Sequence, residues 1–269
     1  MSVRVYSGPH ADRRRGGGGA LRALPWILAA ATVLAQIAWP LTSGTTRDVL
    51  TAVTVVLFFL ASASHALLVR GFLWTLGWFV ISAGIGLAVE VAGTRTGLPF
   101  GSYEYADRLG PSILGVPAII PLAWAMMSYP ALLAARRLSR GPLLTPVIGA
   151  VALASWDLFL DPQMVGEGHW TWSQEGPELP GIAGIPAQNF VAWLLVSLVM
   201  MLLLDRLPRR RTDGAEGDGV PALLYLWTYV SSVLLNAVFE HRTGVAIWGG
   251  IAMGLVAIPY AWSLWTGRD

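Results

Sequence analysis

Cysteine and lysine are both missing from this 269-residue chain. The first absence excludes disulfides and thiolate sites. The second excludes Schiff-base chemistry, because the chain carries no ε-amine. Charge of either sign is scarce: 13% of the residues are charged and 55% are hydrophobic, whereas a soluble domain carries about 25% charged residues. With a mean hydropathy of +0.58, this composition points to an integral membrane protein. The four histidines have no spaced His/Glu partners, so there is no zinc or di-iron signature and no metal site is expected. Tryptophan, by contrast, is plentiful. Its thirteen copies suit both interfacial belts and the walls of an aromatic pocket.

Residues 1–22 hold Arg4, Arg13, Arg14, Arg15 and Arg22 around a glycine run, which reads as a disordered basic tail. A single membrane domain follows over 23–269. Eight apolar segments, at 24–41, 49–69, 72–91, 117–135, 143–160, 187–207, 220–239 and 245–265, each approach the ~20 residues that cross a bilayer. The first is longer than the apolar region of a signal peptide and lacks a small-residue cleavage site, so it reads as a retained helix. Pro162 marks the expected end of the fifth helix, while Pro121, Pro130, Pro146 and Pro259 are expected to kink theirs. The fold class is therefore all-α, a polytopic membrane bundle of about eight helices. Fourteen of the eighteen arginines fall on the side of the N-terminus, and that bias predicts a cell-membrane protein with both termini cytoplasmic.

This threading gathers the unusual polar residues at one end of the bundle. Glu90 closes the third helix in an apolar setting, Asp157 and Asp161 close the fifth, and Asn189 opens the sixth. The two aspartates are four residues apart and so share one helix face. Acids at such depth usually face a bundle interior or a water-filled cavity, and two close carboxyls tend to share a proton. A proton-handling pocket is the functional reading. The structural alternatives are an interfacial Glu90 that reaches water, an Asp161 that caps a turn before proline, and an Asp157 paired with Arg95, Arg108 or Arg242. Asp-x-x-x-Asp also suggests a magnesium-diphosphate site, but a second aspartate-rich motif is missing.

The glycine-rich stretch 93–105 follows a helix and not a strand, which makes it a poor phosphate cradle. It reads either as turns or as a lid in which Phe100, Tyr103 and Tyr105 cover an apolar ligand. His169-Trp170-Thr171-Trp172 reads as interfacial aromatics or as part of the same lid. His65 reads as a hydrogen-bonded packing residue, and Glu240-His241-Arg242 as a helix end or an outlying part of the site.

Three segments are recognisable together: Glu90-Val91-Ala92-Gly93 leading to Gly97-Leu98-Pro99-Phe100-Gly101-Ser102-Tyr103-Glu104-Tyr105; Asp157-Leu158-Phe159-Leu160-Asp161-Pro162 with Gly168-His169-Trp170-Thr171-Trp172; and Gly184-Ile185-Pro186-Ala187-Gln188-Asn189-Phe190. In this order, over about Glu90 to Trp193, the chain resembles the membrane carotenoid hydratase family, of the bisanhydrobacterioruberin and gamma-carotene hydratase type. Two positions depart from that pattern: a tyrosine is expected near Ile182 and a glycine at Ala192. The resemblance implies addition of water across the terminal double bond of an acyclic carotenoid end, giving a tertiary alcohol without a cofactor. It also implies that Glu90, Asp157 and Asp161 share the acid, base and electrostatic roles, with Asp157 as proton donor and Asn189 holding the water. Phe100, Tyr103, Glu104, Tyr105, Trp156, Trp170 and Trp172 would contact the substrate. The expected partners are a carotenoid drawn from the bilayer, membrane lipids and other carotenoid enzymes, with no nucleic acid. Competing readings are a carotenoid cyclase, a magnesium-dependent prenyltransferase, and a transporter or lipid-binding protein.

Overall fold

A computed structural model describes residues 16–173, 176–209 and 217–267. Its helices are α1 (Gly16–Ala38), α2 (Gly44–Arg70), α3 (Phe72–Thr96), α4 (Ile119–Leu138), α5 (Leu144–Gly166), α6 (Ala187–Leu204), α7 (Gly219–Leu234), which runs on into a π turn at Leu235–Phe239, and α8 (Thr243–Thr266). Eight of these spans are long and apolar enough to cross a membrane, so the chain is a multi-pass helical bundle. Its residues sort by solvent: α4 and α5 are 83% and 72% buried over their apolar windows, against 22% for α3. These two helices form the central pillars, and the other six present side chains such as Leu73, Leu195 and Leu255 outward.

Most of the expected segments match, with three corrections. Of the tail at 1–22, residues 1–15 lie outside the described residues, while 16–22 form the first turns of α1 and not a coil. The fifth helix does not stop at Pro162. It continues to Gly166 with the proline inside it, because the imino nitrogen forfeits one ladder bond, to the carbonyl of Leu158, and a packed bundle tolerates that loss. Pro121 and Pro146 lie at the third position of α4 and α5, where the N–H has no helical partner to lose, so they begin helices instead of bending them.

The two long loops contain short strands that hydropathy alone does not reveal: β1 (Tyr103–Tyr105), β2 (Ser112–Ile113), β3 (Val116–Pro117), β4 (Trp170–Trp172), β5 (Glu178–Leu179) and β6 (Ile182–Pro186). β2–β3 and β5–β6 are local hairpins. β1 and β4 come from different loops and pair antiparallel, with Tyr103 opposite Trp172 and Tyr105 opposite Trp170. Bonds from Ala106 N to His169 O and from Ser173 N to Ser102 O, both 2.9 Å, extend this ribbon.

At the opposite end, cations and acids pair off. Arg70 meets both oxygens of Asp218 at 2.9 and 3.0 Å, and Asp205 accepts from Arg136 at 3.1 Å and from Arg209 at 2.8 Å. His65 packs there as expected, bonded to Tyr129 Oη at 2.8 Å and Gly217 O at 2.7 Å.

Close helix contact depends on glycine at one position in particular. A Cβ on Gly249 of α8 would lie 2.5 Å from the ring of buried Phe159 on α5, whereas one on neighbouring Gly250 meets only Val233 at 3.5 Å. Gly249→Ala is therefore expected to cost about 1–3 kcal/mol through overpacking, and Gly250→Ala much less. Heat-induced loss of the monodisperse peak of detergent-solubilised protein checks this, and equal loss in both variants would refute it.

Candidate functional site

Glu90, Asp157, Asp161 and Asn189 are buried and converge on one pocket. They reach it from three helices. Glu90 projects from the last third of α3, the aspartates from successive turns of α5, and Asn189 from the first turn of α6. The β1–β4 ribbon covers the pocket. Strand alternation sets which residues face in: Tyr103, Tyr105, Trp170 and Trp172 point into the pocket, while Glu104 and Thr171 point to solvent. Glu104 is thus removed from the expected substrate contacts. Phe100, Trp156, Trp170 and Trp172, expected to contact substrate, line the pocket, and of the His169–Trp172 stretch it is Trp170 and Trp172 that the ribbon turns toward it.

Each acid is held by neutral donors. Glu90 Oε1 accepts from Trp124 Nε1 at 3.0 Å, and its Oε2 accepts from the hydroxyls of Tyr103 and of Tyr105, the latter at 2.7 Å. Asp161 Oδ1 accepts from Trp170 Nε1 at 2.6 Å and Trp172 Nε1 at 3.2 Å. The Asn189 amide donates to Asp157 Oδ2 and to Asp161 Oδ2, each at 2.8 Å. Its N–H groups therefore clamp the aspartate pair together. Among the described residues no arginine reaches Asp157: Arg108 binds Asp48, Arg47 binds Glu167, and Arg242 binds Glu240. The last contact ties Glu240 into the loop after α7, so Glu240 and His241 stay outside the pocket.

Sequence reasoning overlooked Trp124 and Trp193. Their rings stack at 3.8 Å and 8°, and Trp156 meets Trp193 edge-on at 6.4 Å. Trp193 lies four residues after Asn189, one turn along the same face of α6, and that spacing was the available signal. Trp124 gave none, since an indole in an apolar helix is unremarkable. Glycines on α3 provide the notches these rings need. A Cβ on Gly86 would lie 2.7 Å from Trp124 Cγ, and one on Gly93 would lie 2.8 Å from Tyr103 Oη. Ile182 and Ala192, the two departures from the expected pattern, are buried but do not line the pocket. Among the described residues no three His, Asp or Glu side chains gather as metal ligands.

The lid is tethered at its rim. Arg108 forks onto Asp48 at 2.8 to 3.1 Å and donates to Glu167 O at 2.7 Å, and Arg47 pairs with Glu167 at 2.6 Å. Beneath it Leu109, Met164 and Trp170 form a small apolar cluster. Burial, followed by the nearby Glu90 charge, pushes the phenols of Tyr103 and Tyr105 above their usual range, which keeps them as donors in alkaline solution. An ordinary phenol ionises near pH 10. Tyr103→Phe/Tyr105→Phe is expected to leave the tyrosinate absorbance step up to about that pH unchanged, whereas a smaller step in the double variant would show these phenols to be solvated.

Residues 50–259 match the family described as carotenoid biosynthesis protein. The chain is also similar to a protein of Haloarcula japonica described as bisanhydrobacterioruberin hydratase, being 32% identical to it over 195 residues. That match covers 67% of this chain and 59% of the relative, so the chain spans about three-fifths of the relative's length. No solved structure matches.

Proposed function

We propose, from the premise that the chain belongs to the carotenoid biosynthesis protein family, that its pocket hydrates the acyclic end of a carotenoid. The observation that carries this reading is a group of three carboxyls in an aromatic pocket, held by neutral donors and without a cation. Hydration of a trisubstituted alkene needs a proton for the less substituted carbon, a surface that steadies a tertiary cation, and a group that receives the proton released when water adds.

The donor counts divide these roles. Glu90 and Asp161 each accept from three donors, so their oxygens are already engaged. Asp157 accepts only from Asn189 among the described residues. Asp157 is therefore the proton donor, and Asn189 is the residue that positions it against Asp161. As the C–H bond forms, positive charge develops on the tertiary carbon opposite the faces of Trp124, Trp156 and Trp193, where ring quadrupoles attract it. Water then bonds to the cation and its extra proton returns to the carboxylate of Asp157. Nothing is oxidised or reduced. The arginine bias supports cytoplasmic termini, which puts the pocket toward the outer leaflet.

Asp157→Asn is expected to lower turnover by about 10²–10⁴-fold, the usual worth of a positioned general acid. Mass spectrometry of carotenoids from a lycopene-producing host checks this, because hydration adds the mass of one water. A converted product of unchanged mass would point to a cyclase instead, and full activity in Asp157→Asn would overturn the acid assignment. A Cβ at Gly86 collides with Trp124, while one at Gly84 meets nothing within 4 Å. Gly86→Ala should therefore impair hydration several-fold, by an amount Gly84→Ala does not match in the same assay.

A further inference from the structure

The rim that tethers the lid encloses a titratable side chain that the acid pocket does not use. His169 immediately precedes β4, and its backbone belongs to the ribbon. Its N–H donates to Met164 O and its carbonyl accepts from Ala106 N, both at 2.9 Å. The imidazole does not line the acid pocket. It is fully buried within the rim, among charged groups from every element that meets there. These are Arg47 and Asp48 at the start of α2, Arg108 in the connection between β1 and β2, and Glu167 just after α5. The guanidinium of Arg108 passes close by the neighbouring residue, since a Cβ on Gly168 would lie 3.5 Å from its Nη1.

Neither ring nitrogen has a hydrogen-bond partner among the described residues. Asp48 Oδ1 lies 3.6 Å from Nε2, which is beyond hydrogen-bond range. The acids of the rim are already engaged: the fork of Arg108 holds Asp48, and Arg47 holds Glu167. Two cations therefore face two anions, and a neutral imidazole leaves that balance intact. A proton on the ring would add a positive charge with no free partner, in a place that water does not reach, and such a charge is costly to bury. Burial is the largest influence on the ring and lowers its proton affinity; Asp48 raises it, Arg108 lowers it, Glu167 raises it, and the outcome lies below the ordinary histidine value. A hydrated imidazole ionises near pH 6.5, and water reaches this one only when the rim parts, because the ring has no exposed surface while it is shut. The parted form thus binds the proton more readily, so the shut form loses stability as the pH falls below about 6.5.

We propose that His169 is an acid-sensitive release for the lid: the rim shuts on a neutral imidazole and parts when that ring takes up a proton. Parting loosens the β1–β4 ribbon, and with it the indoles of Trp170 and Trp172 that donate to Asp161. The release belongs to the lid and does not depend on which reaction the pocket performs.

The test uses the full chain in lipid nanodiscs, and the absence of cysteine makes site-directed labelling clean. Spin labels at Thr46→Cys on α2 and Thr171→Cys on the lid, both at exposed positions, report the distance across the rim by pulsed electron resonance. In the parent, a longer-distance population should grow as the pH is lowered from 7.5 to 5, by up to about tenfold per pH unit below ~6.5, the limit for one proton. His169→Phe, which keeps a neutral ring, should hold the short distance over the whole range. His169→Gln should do the same and guards against misfolding of the first variant. A parent whose distance does not change with pH overturns the proposal. So does a distance that shortens in acid, which would show the imidazolium closing onto Asp48. A pH response kept by both variants assigns the titration to another group and overturns it as well, and a lid that is open at every pH in both would show the ring to be structural packing only.

Discussion

The structure depends on one constraint: three carboxyls sit inside an apolar bundle, and each has to be satisfied without a cation. At the other end of the molecule the problem is solved by charge, with Arg70 on Asp218 and Arg136 and Arg209 on Asp205. In the pocket the donors are indoles, phenols and an amide. The difference matters chemically. A guanidinium beside Asp157 would fix it as an ion and fill the space with strongly solvated charge. Indole and phenol N–H and O–H groups satisfy lone pairs while their rings keep the pocket dry and apolar. A carboxyl in that setting stays available to hold or release a proton, and an alkene can approach it.

That solution explains why the loops are folded as they are. Four of the donors, Tyr103, Tyr105, Trp170 and Trp172, come from the β1–β4 ribbon. Antiparallel pairing in this register turns two tyrosines and two tryptophans to one face, which a one-residue slip would undo. The ribbon is bound to the bundle by the bonds it makes to the acids and by the Arg108–Asp48 fork at its rim. Lid and acids are consequently one unit: a change that unpairs the strands also removes donors from Glu90 and Asp161.

What was legible in the sequence follows from which interactions are local. The eight spans were visible because hydropathy is a property of contiguous residues, and Asp157 with Asp161 because helical spacing places them on one face. The cost of burying charge singled out Glu90. The ribbon was missed because its partners lie 69 residues apart in the Tyr103–Trp172 pairing, although Tyr-Glu-Tyr and Trp-Thr-Trp each carry the alternation of a strand. That same alternation, read in advance, would have turned Glu104 outward. Asn189 was legible as a site residue, but only coordinates reveal that its amide spans two carboxyls. Pro162 misled for a physical reason as well: in water it would end the helix, but in a packed bundle one lost ladder bond is tolerable.

The geometry also separates two environments that a hydration reaction has to bring together. The acids lie beneath a ribbon whose outer residues, Glu104 and Thr171, are exposed, and on the proposed reading water would reach them past that lid. A second, larger cavity opens between α1 and α7 among half-exposed aliphatic and aromatic residues, the side from which a chain dissolved in lipid would arrive. On the proposed reading these routes meet at Trp156 and Leu160, which belong to both cavities. An alkene carbon brought to that boundary is near a proton and an aromatic face, while the rest of its chain remains in apolar surroundings. A single cavity open to water at the same depth would surround the acids with solvent, weaken the field they exert on a developing cation, and admit bulk water before protonation.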